Sequence, residues 1–304
     1  MGEEGIIEKY LQPLTNGNKF ALGLRDDIAK IDQNTIIKTD TTIEGVHILQ
    51  GLPANFIAYK AMARCFSDVF AKGGRAIGYL TNIILPKNFQ DFDELFAGFS
   101  QFAKEHNVDL LGGDLSTHNA SNIIIIVSVV AKASKDVLRF NAKIGDGLYL
   151  TKEIGAAYLG FLDVKNGNLQ NGNWQNGNWQ KAFAGEYLMP SLVLLDDFEN
   201  INASMDISDG LIQDAKKMAK ASNVCFEIDY NLLPFAKNVG ANNNSQENDM
   251  LSDMLSFGDD YNILISSKVP VQNARQIGVV KQGRGLNLLN FPFEIFNAGY
   301  DHFA

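Results

Sequence analysis

Cysteine, histidine and basic residues are scarce in this chain. Among its 304 residues are two cysteines, Cys65 and Cys225, and four histidines. Two cysteines in separate apolar segments cannot form a disulfide framework or a Cys-x-x-Cys metal site, so we expect both to be small buried hydrophobes. The 26 lysines and arginines stand against 35 aspartates and glutamates, a formal net charge of −9. This balance argues against a protein that binds nucleic acid, which needs a clustered basic surface.

Long hydrophobic runs are also absent. The longest apolar run, residues 123–131, is interrupted by Ser128 and is far shorter than the roughly 20 residues that span a bilayer. The N-terminal sequence MGEEGIIEKYLQPL is acidic and lacks the apolar stretch of a secretory signal. We therefore expect a cytoplasmic protein without a membrane partner. Sequences typical of a P-loop, a zinc protease or a serine hydrolase are absent as well.

Strand-like and helix-like segments alternate along the chain. Apolar residues at helical spacing, bounded by glycine or polar residues, predict helices at 58–74, 89–102, 153–162 and 210–222. Short β-branched or apolar runs predict strands at 34–40, 77–86, 122–133, 145–151, 224–234 and 260–267. We expect the phenylalanine stripe of the second helix to be core and strand 122–133 to be buried on nearly both faces. This pattern predicts an α/β protein with two domains joined near residues 133–140.

Two segments are polar and rich in asparagine. Residues 166–180, NGNLQNGNWQNGNWQ, repeat a five-residue unit three times, too few and too short for a solenoid. Residues 238–250 are similarly rich in asparagine. We expect the first segment to be an expanded surface loop or a locally irregular helix without a function, and the second to be another polar loop.

Aspartates recur beside small residues at the ends of the predicted elements. The stretch MDISDGL places Asp206 and Asp209 three residues apart around Ser208. One interpretation is structural, because Ser208 or Asp209 could cap a helix that starts near Gly210. The same crowding occurs at five further sites, which are Asp26-Asp27, Asp40, Asp68, Asp114 and Asp259-Asp260.

These acids also allow an interpretation as a cation site. Asp68 falls among Phe66, Val69 and Phe70, and a carboxylate in such surroundings needs a partner. The sequence shows no matching lysine or arginine for the several acidic sites, which suggests a shared cation. Carboxylates are the ligands of hard cations such as Mg²⁺, which usually also bridge to substrate phosphates. The residues alone therefore indicate a Mg²⁺–phosphate enzyme without a P-loop.

A series of ordered motifs gives the chain a family resemblance. They are DDIA (26–29), TDTTIEGVH (39–47), YKAMARCFSDVFAKGG (59–74), LLGGD (110–114), AKIGDGLYLT (142–151), DISDGL (206–211), FGDDY (257–261) and GYDHF (299–303). In order and spacing they resemble the thiamine-monophosphate kinase family, related to aminoimidazole ribonucleotide synthetase and selenophosphate synthetase. No single motif is specific, but the last one favours this family over its relatives.

The resemblance implies the fold and the reaction. It implies two mixed-sheet domains of the aminoimidazole ribonucleotide synthetase-like α/β (α+β) fold, 1–135 and 136–304, and a homodimer joined through N-terminal sheets. The first domain would bind ATP and Mg²⁺, and the second would complete the active site. The reaction would transfer the γ-phosphoryl group of ATP directly to thiamine monophosphate, with several Mg²⁺ ions; a requirement for K⁺ is left open.

The resemblance also implies roles for individual residues. Catalysis would depend on Asp206, Asp209 and Arg139. Contacts to ATP would come from Gly113, Asp114, Arg139 and Ser208. Thiamine monophosphate would lie against His47, Asp259 and Tyr300. The Mg²⁺ ligands would be Asp27, Thr39, Asp40, Asp68, Asp114, Asp206 and Asp209.

Five positions depart from the family pattern. Arg25 replaces a glycine and Lys38 replaces a serine that would be a ligand. Asp259 replaces a glutamate, and Phe140-Asn141 replace Ser-Gly. Two alternatives remain open beside the kinase, namely another ATP-dependent enzyme of the superfamily and a weakly catalytic protein that binds nucleotide or thiamine phosphate. Turnover of ATP with thiamine monophosphate, compared with binding alone, separates them.

Overall fold

A computed structural model describes residues 2–166, 183–236, 245–295 and 299. Most of the repeat at 166–180, much of the predicted loop at 238–250 and Tyr300 lie outside these residues. The helices are α1 Glu3–Ile6, α2 Ala54–Ala71, α3 Phe92–His106, α4 Ala156–Lys165, α5 Ala184–Leu188, α6 Leu211–Ser222 and α7 Ser245–Ser256. Short π and 3₁₀ turns continue from α1 to residue 24. None of the helices among the described residues has the length and hydrophobicity of a membrane-spanning segment.

Five strands form the first sheet, in the order β1-β2-β5-β3-β4. Neighbouring strands are antiparallel except β3 and β4, which are parallel. Helices α2 and α3 cover one face of this sheet, and the other face is open. The strands are β1 Ala29–Lys30, β2 Thr35–Ile43, β3 Arg75–Pro86, β4 Leu110–His118 and β5 Ile124–Lys132.

Six strands form the second sheet, in the order β11-β8-β10-β6-β9-β7. Only β11 and β8 are parallel. The apolar face of α6 packs on one side of this sheet, while Ala71 at the end of α2 belongs to an apolar cluster on β6, β7 and β9. The strands are β6 Gly147–Leu150, β7 Ile201–Asp206, β8 Cys225–Asp229, β9 Ile263–Ser267, β10 Arg275–Lys281 and β11 Gly285–Leu289. The proposed boundary between 135 and 136 falls between the strands of the two sheets.

Helix α2 is buried along almost its whole length. Met62, Cys65 and Phe66 lie in the core of the first sheet and have no solvent exposure. The helix ends as the sequence predicts, since Gly73 follows with a φ of 70°, which favours glycine. A helix buried on every side is usually apolar all round. This one also carries a stripe of charged residues, which therefore needs partners.

Several sequence-based expectations about local structure are wrong. Phe92 and Phe96 are 43% and 46% exposed, so the phenylalanine stripe is only partly core. Strand β5 alternates between buried and half-buried residues because one face of its sheet is open. Residues 245–250 form the start of α7, although a loop was expected there. Cys65 is fully buried as predicted, while Cys225 is only partly buried.

Close packing of α2 against α3 gives a test of the fold. A Cβ added at Gly98 would lie 2.1 Å from the carbonyl oxygen of Asn55. Gly98→Ala must therefore push the helices apart, and we expect it to lower the free energy of unfolding by about 1–3 kcal/mol. Ser100→Ala, on the exposed side of the same helix, is the matched control. Equal urea denaturation midpoints for the two variants would contradict this packing.

Candidate active site at the junction of the two sheets

One side of helix α2 carries five polar residues. Lys60, Arg64, Ser67, Asp68 and Lys72 follow each other at intervals of one to four residues, which places them on one face of a helix. The side chain of Lys60 is fully buried and that of Lys72 is 2% exposed. The polar stripe therefore lies inside the protein, between the first sheet and segments of the second half of the chain.

Acidic side chains from several segments meet this stripe. Lys60 Nζ lies 2.7 Å from Asp259 Oδ2, and Arg64 lies 3.7 Å from both Asp259 and Asp40. Ser67 Oγ donates a 2.5 Å hydrogen bond to Asp206 Oδ2. The stripe thus connects β2, β7 and the loop before β9.

The C-terminal end of the polar stripe, at Lys72, lies next to Asp26 and Asp27 from the N-terminal segment. Lys72 Nζ lies 3.2 Å from Asp26 and 3.9 Å from Asp27, and it donates to the carbonyl oxygen of Ser204 on β7. Arg139 donates to Asp27 Oδ1 at 2.9 Å, and its backbone N–H donates to Asp26 Oδ2. One lysine therefore joins the N-terminal segment, α2 and the second sheet.

The expectation that the acids lack cationic partners is wrong. Lys38 Nζ lies 2.6 Å from Asp68 Oδ2, and Lys217 pairs with Asp209 and Asp214. The sequence does carry a signal for part of this network. The spacing of Lys60, Arg64, Asp68 and Lys72 is helical, and so is that of Asp214 and Lys217. The pairing of Lys217 with Asp209 depends on the turn before α6.

Burial and mutual repulsion perturb the pKa values of the acids. Burial and the charge of Asp206 raise the pKa of Asp68 well above its usual range. Burial, with Asp27 nearby, raises the pKa of Asp206 to about 6. Burial alone would raise the pKa of Asp27, but Arg139 and Lys72 lower it to about 2. Such separated values within one cluster are typical of functional sites.

The MDISDGL stretch is not a side-chain cap. Gly210 occupies the position before α6 and no side chain accepts a capping hydrogen bond there. Instead the backbone N–H groups of Ser208 and Asp209 donate to Asp214 Oδ2 at 3.1 and 3.0 Å. The carboxylate inside the helix therefore holds the turn before it, which leaves the side chain of Asp209 paired with Lys217.

The FGDDY stretch is held tightly against the same turn. Asp259 and Tyr261 donate backbone hydrogen bonds to the carbonyls of Ser208 and Ile207. Gly258, Asp259 and Tyr261 have φ values of 84°, 57° and 44°, a region that non-glycine residues rarely adopt. Backbone strain of this kind concentrates at functional sites.

A cavity of about 300 Å³ opens beside these two stretches. The first half of the chain contributes His47 and Arg64 to its lining, and the second half contributes Ser208, Asp209 and Asp259. His47 accepts a hydrogen bond from the backbone N–H of Ile43 through Nδ1. The remaining lining residues are Gly45, Val46, Ile48, Leu49, Phe161, Tyr187, Ser256, Phe257 and Gly299.

Aromatic rings form one wall of the cavity. The ring centroids of Phe161 and Phe257 are 4.9 Å apart, and those of Phe161 and Tyr187 are 5.5 Å apart. Lys60 Nζ lies 3.7 Å from the centroid of the Tyr187 ring. Sequence reasoning missed these three rings because they come from separate segments without a shared motif.

Three predicted site residues lie away from the carboxylates. In the register of the first sheet, Asp114 pairs with Asn82, and Thr39 pairs with Ser128. These residues face the open side, whereas Lys38 and Asp40 face α2. Asp114 is exposed and accepts from Ser116 Oγ, and Gly113 is exposed beside it. LLGGD is therefore part of an edge strand.

Two departures from the family pattern contact each other. The guanidinium carbon of Arg25 lies 4.8 Å from the centroid of the Phe140 ring, and Arg25 also donates to the carbonyl oxygen of Ala221. A cation over an aromatic face is attracted by the ring quadrupole. Arg25 and Phe140, which both depart from the family pattern, are therefore partners in one cation–π contact. Tyr300 lies outside the described residues, but Gly299 reaches the cavity.

The fit of the acids to metal ions can be judged from their oxygens. The described residues contain no group of three or more histidine, cysteine or acidic side chains that could hold a metal ion. Asp27 Oδ2, however, is buried and accepts no hydrogen bond from them, so it has capacity for an added cation. Mg²⁺ commonly takes one or two carboxylates together with waters and substrate phosphates. The arrangement fits Mg²⁺ that arrives with a nucleotide, and the full set of predicted ligands stays a prediction.

Comparison with known families covers most of the chain. Residues 25–133 match the N-terminal domain of AIR synthase related protein, and residues 143–288 match its C-terminal domain. The chain therefore belongs to the AIR synthase related family, and the predicted two-domain mixed-sheet fold is confirmed.

Relatives that match over most of their length identify the subgroup of the family to which the chain belongs. The thiamine-monophosphate kinase of Buchnera aphidicola subsp. Acyrthosiphon pisum is 30% identical over 291 residues, which cover 91% of this chain and 86% of the relative. That of Buchnera aphidicola subsp. Schizaphis graminum is 28% identical over 98% of both chains. Within the AIR synthase related family, the chain belongs to the thiamine-monophosphate kinases.

Solved structures show the same fold. A structure described as AaThiL complexed with AMPPCP and TMP superposes with a TM-score of 0.80 at 24% identity, covering 99% of this chain and 97% of that one. The thiamine monophosphate kinase of Aquifex aeolicus superposes with a TM-score of 0.78, covering 95% and 96%.

The buried carboxyl of Asp260 gives a pH-dependent prediction. Burial raises its pKa to about 7, although the backbone N–H groups of Gly155 and Ala157 donate to it. The pKa of Asp260 is therefore higher in the folded protein than its unfolded value of 3.8. The stability that the neutral carboxyl group contributes is fully present below about pH 4 and is lost as the pH rises through about 7.

We therefore expect the free energy of unfolding of wild type, relative to Asp260→Asn, to fall on the order of 3–4 kcal/mol between about pH 4 and pH 8. Urea denaturation across this range measures the difference. Asp196→Asn, at a fully exposed side chain, is the control and should follow wild type. Parallel pH profiles for wild type and Asp260→Asn would contradict the raised pKa.

Proposed function

We propose that this protein transfers the γ-phosphoryl group of ATP to thiamine monophosphate, which yields thiamine diphosphate and ADP. Membership of the thiamine-monophosphate kinases supports this reaction, as does the fold shared with a protein whose structure contains AMPPCP, an ATP analogue, and TMP. The cytoplasmic location expected from the sequence is part of the same proposal.

The cavity beside Ser208 and Asp209 is the observation that carries the proposal. Its volume of about 300 Å³ lies at the lower end of the range for small-molecule sites. Phe161, Tyr187 and Phe257 offer aromatic faces, which attract a cationic ring such as the thiazolium of thiamine. The cavity thus suits a small cationic aromatic molecule.

The phosphate end of the substrate needs positive charge. Arg64 lines the cavity, and its Nε is buried without a hydrogen-bond acceptor among the described residues. A guanidinium donor of this kind pairs well with phosphate oxygens. We assign Arg64 to the phosphate of thiamine monophosphate, with His47, Asp259 and Tyr300 as further substrate contacts.

The chemistry requires charge compensation more than a base. An oxygen of the acceptor phosphate, whose second pKa is about 6, is already largely deprotonated at neutral pH. This oxygen forms a bond to the γ-phosphorus of ATP, and the bond from that phosphorus to the β-phosphate oxygen breaks to release ADP. Two polyanions must therefore approach each other, and fixed cations stabilise the charge that develops.

Nucleotide and metal contacts follow from the family resemblance. Gly113, Asp114, Arg139 and Ser208 are the proposed ATP contacts. Asp27, Thr39, Asp40, Asp68, Asp114, Asp206 and Asp209 remain the proposed Mg²⁺ ligands, of which Asp27 has a buried oxygen that accepts no hydrogen bond from the described residues. Mg²⁺ bound there would offset phosphate charge, while Asp206, Asp209 and Arg139 would orient the reacting groups.

Steady-state kinetics test the proposed reaction. We expect thiamine diphosphate to form from ATP and thiamine monophosphate, with thiamine itself a poor acceptor. Asp209→Asn should reduce kcat steeply without loss of folding. Nucleotide or thiamine-phosphate binding without turnover would favour the alternative of a weakly catalytic binding protein.

The aromatic wall predicts a selective effect on substrate affinity. Phe257→Ala removes a ring in contact with Phe161, so we expect KM for thiamine monophosphate to rise about tenfold, corresponding to about 1.4 kcal/mol. KM for ATP should change little. Phe92→Ala, at an exposed phenylalanine, is the control. An equal rise in both KM values would argue against this wall as the thiamine site.

The open face of the first sheet is the proposed homodimer interface. It carries Leu80, which is 39% exposed, beside the half-buried Ile124, Ile126 and Val130. Exposed apolar patches of this kind often mark protein–protein contacts. We expect Leu80→Glu to shift sedimentation from dimer to monomer. Leu232→Glu, at a residue 40% exposed outside this face, should remain a dimer; a dimeric Leu80→Glu would contradict the assignment.

A further inference from the structure

Lys38 occupies an unusual position within the carboxylate cluster. It stands on β2, next to Asp40, and its side chain is 17% exposed. Its Nζ lies 2.6 Å from Asp68 Oδ2, where the family pattern has a serine on the strand. The substitution removes a hydroxyl ligand and adds a positive charge at the same place.

The surroundings of Lys38 are strongly acidic. Asp68, Asp40 and Asp27 all stabilise its charged form, against the effect of burial. Asp68 in turn lies beside Asp206, which accepts a hydrogen bond from the adjacent Ser67. Lys38 therefore supplies positive charge to the carboxylates for which the resemblance predicts Mg²⁺.

Geometry makes the ammonium and a metal ion compete. Mg²⁺ requires its oxygen ligands at about 2.0–2.1 Å in a near-octahedral arrangement. An ammonium at 2.6 Å from Asp68 Oδ2 occupies the space where a cation on that oxygen would lie. A lysine ammonium is a compact point charge with three donors, so it can satisfy several carboxylate oxygens at once.

We propose that Lys38 takes the place of one Mg²⁺ ion at the Asp68 side of the cluster. The protein then needs fewer metal ions than the family resemblance implies, and those that it binds arrive with the nucleotide phosphates. The proposal relies on the proposed function only for Mg²⁺ as the competing cation. Its test measures metal binding and stability without turnover, so its failure is distinguishable from a failure of the kinase assignment.

Metal binding to the nucleotide-free full-length protein tests the proposal, with Mn²⁺ as a spin-active substitute for Mg²⁺. We expect Lys38→Ser to bind one more Mn²⁺ per chain than wild type by electron paramagnetic resonance titration. In EDTA, Lys38→Ser should unfold at a temperature roughly 5–10 °C lower than wild type, because a buried acid has lost its partner. Added Mg²⁺ should restore most of this loss and leave wild type unchanged.

Two controls separate this effect from a general loss of a lysine. Lys38→Arg keeps the charge and should bind the same number of Mn²⁺ ions as wild type. Lys132→Ser removes a lysine that is 58% exposed on the neighbouring strand, and its stability should not respond to Mg²⁺. Equal Mn²⁺ counts for wild type and Lys38→Ser would overturn the proposal. Failure of Lys38→Ser to fold or to gain stability at any Mg²⁺ concentration would also overturn it.

Discussion

Burial of charged side chains along helix α2 determines which segments pack around it. The apolar side of the helix is fixed in the core of the first sheet by Met62, Cys65 and Phe66. Its other side then brings Lys60, Arg64, Asp68 and Lys72 out of water, and buried charges without partners are strongly destabilising. Those partners come from β2, β7, the N-terminal segment and the FGDDY stretch, so pairing the charges also joins the two sheets.

The same pairing prepares a site for phosphate chemistry. Charged side chains that neutralise each other, such as Arg64 and Asp259, also line the cavity between the two halves of the chain. The strained backbone at Asp259 and Tyr261 is held by hydrogen bonds to the turn at Ser208. Because fixed cations and dipoles need little rearrangement, they stabilise transferred charge better than solvent does. Departures such as Lys38, and the Arg25–Phe140 pair, adjust this charge balance in this chain.

Local patterns in the sequence predict much of the fold but little of the site. Periodicity and glycine placement predict the end of α2 before Gly73, the strands at 34–40 and 77–86, and the helix after Gly210. The same patterns do not predict the edge strand at LLGGD, the strands β7, β10 and β11, or helix α7. Short segments with mixed polarity depend on sheet neighbours for stability. Pairing of Asp209 with Lys217 and of Asp68 with Lys38 could not be predicted, since the first contact depends on the turn before α6 and the second arises only once β2 packs beside α2.

A single-turnover experiment tests whether the phosphoryl group passes directly from ATP to thiamine monophosphate. The protein is mixed with ATP labelled at the γ-phosphorus and with unlabelled thiamine monophosphate, and the products are separated at successive times. Direct transfer predicts that the label appears in the terminal phosphate of thiamine diphosphate, with one ADP formed for each molecule of thiamine diphosphate. Label on the protein before it reaches thiamine diphosphate, or release of the label only as inorganic phosphate, would contradict it.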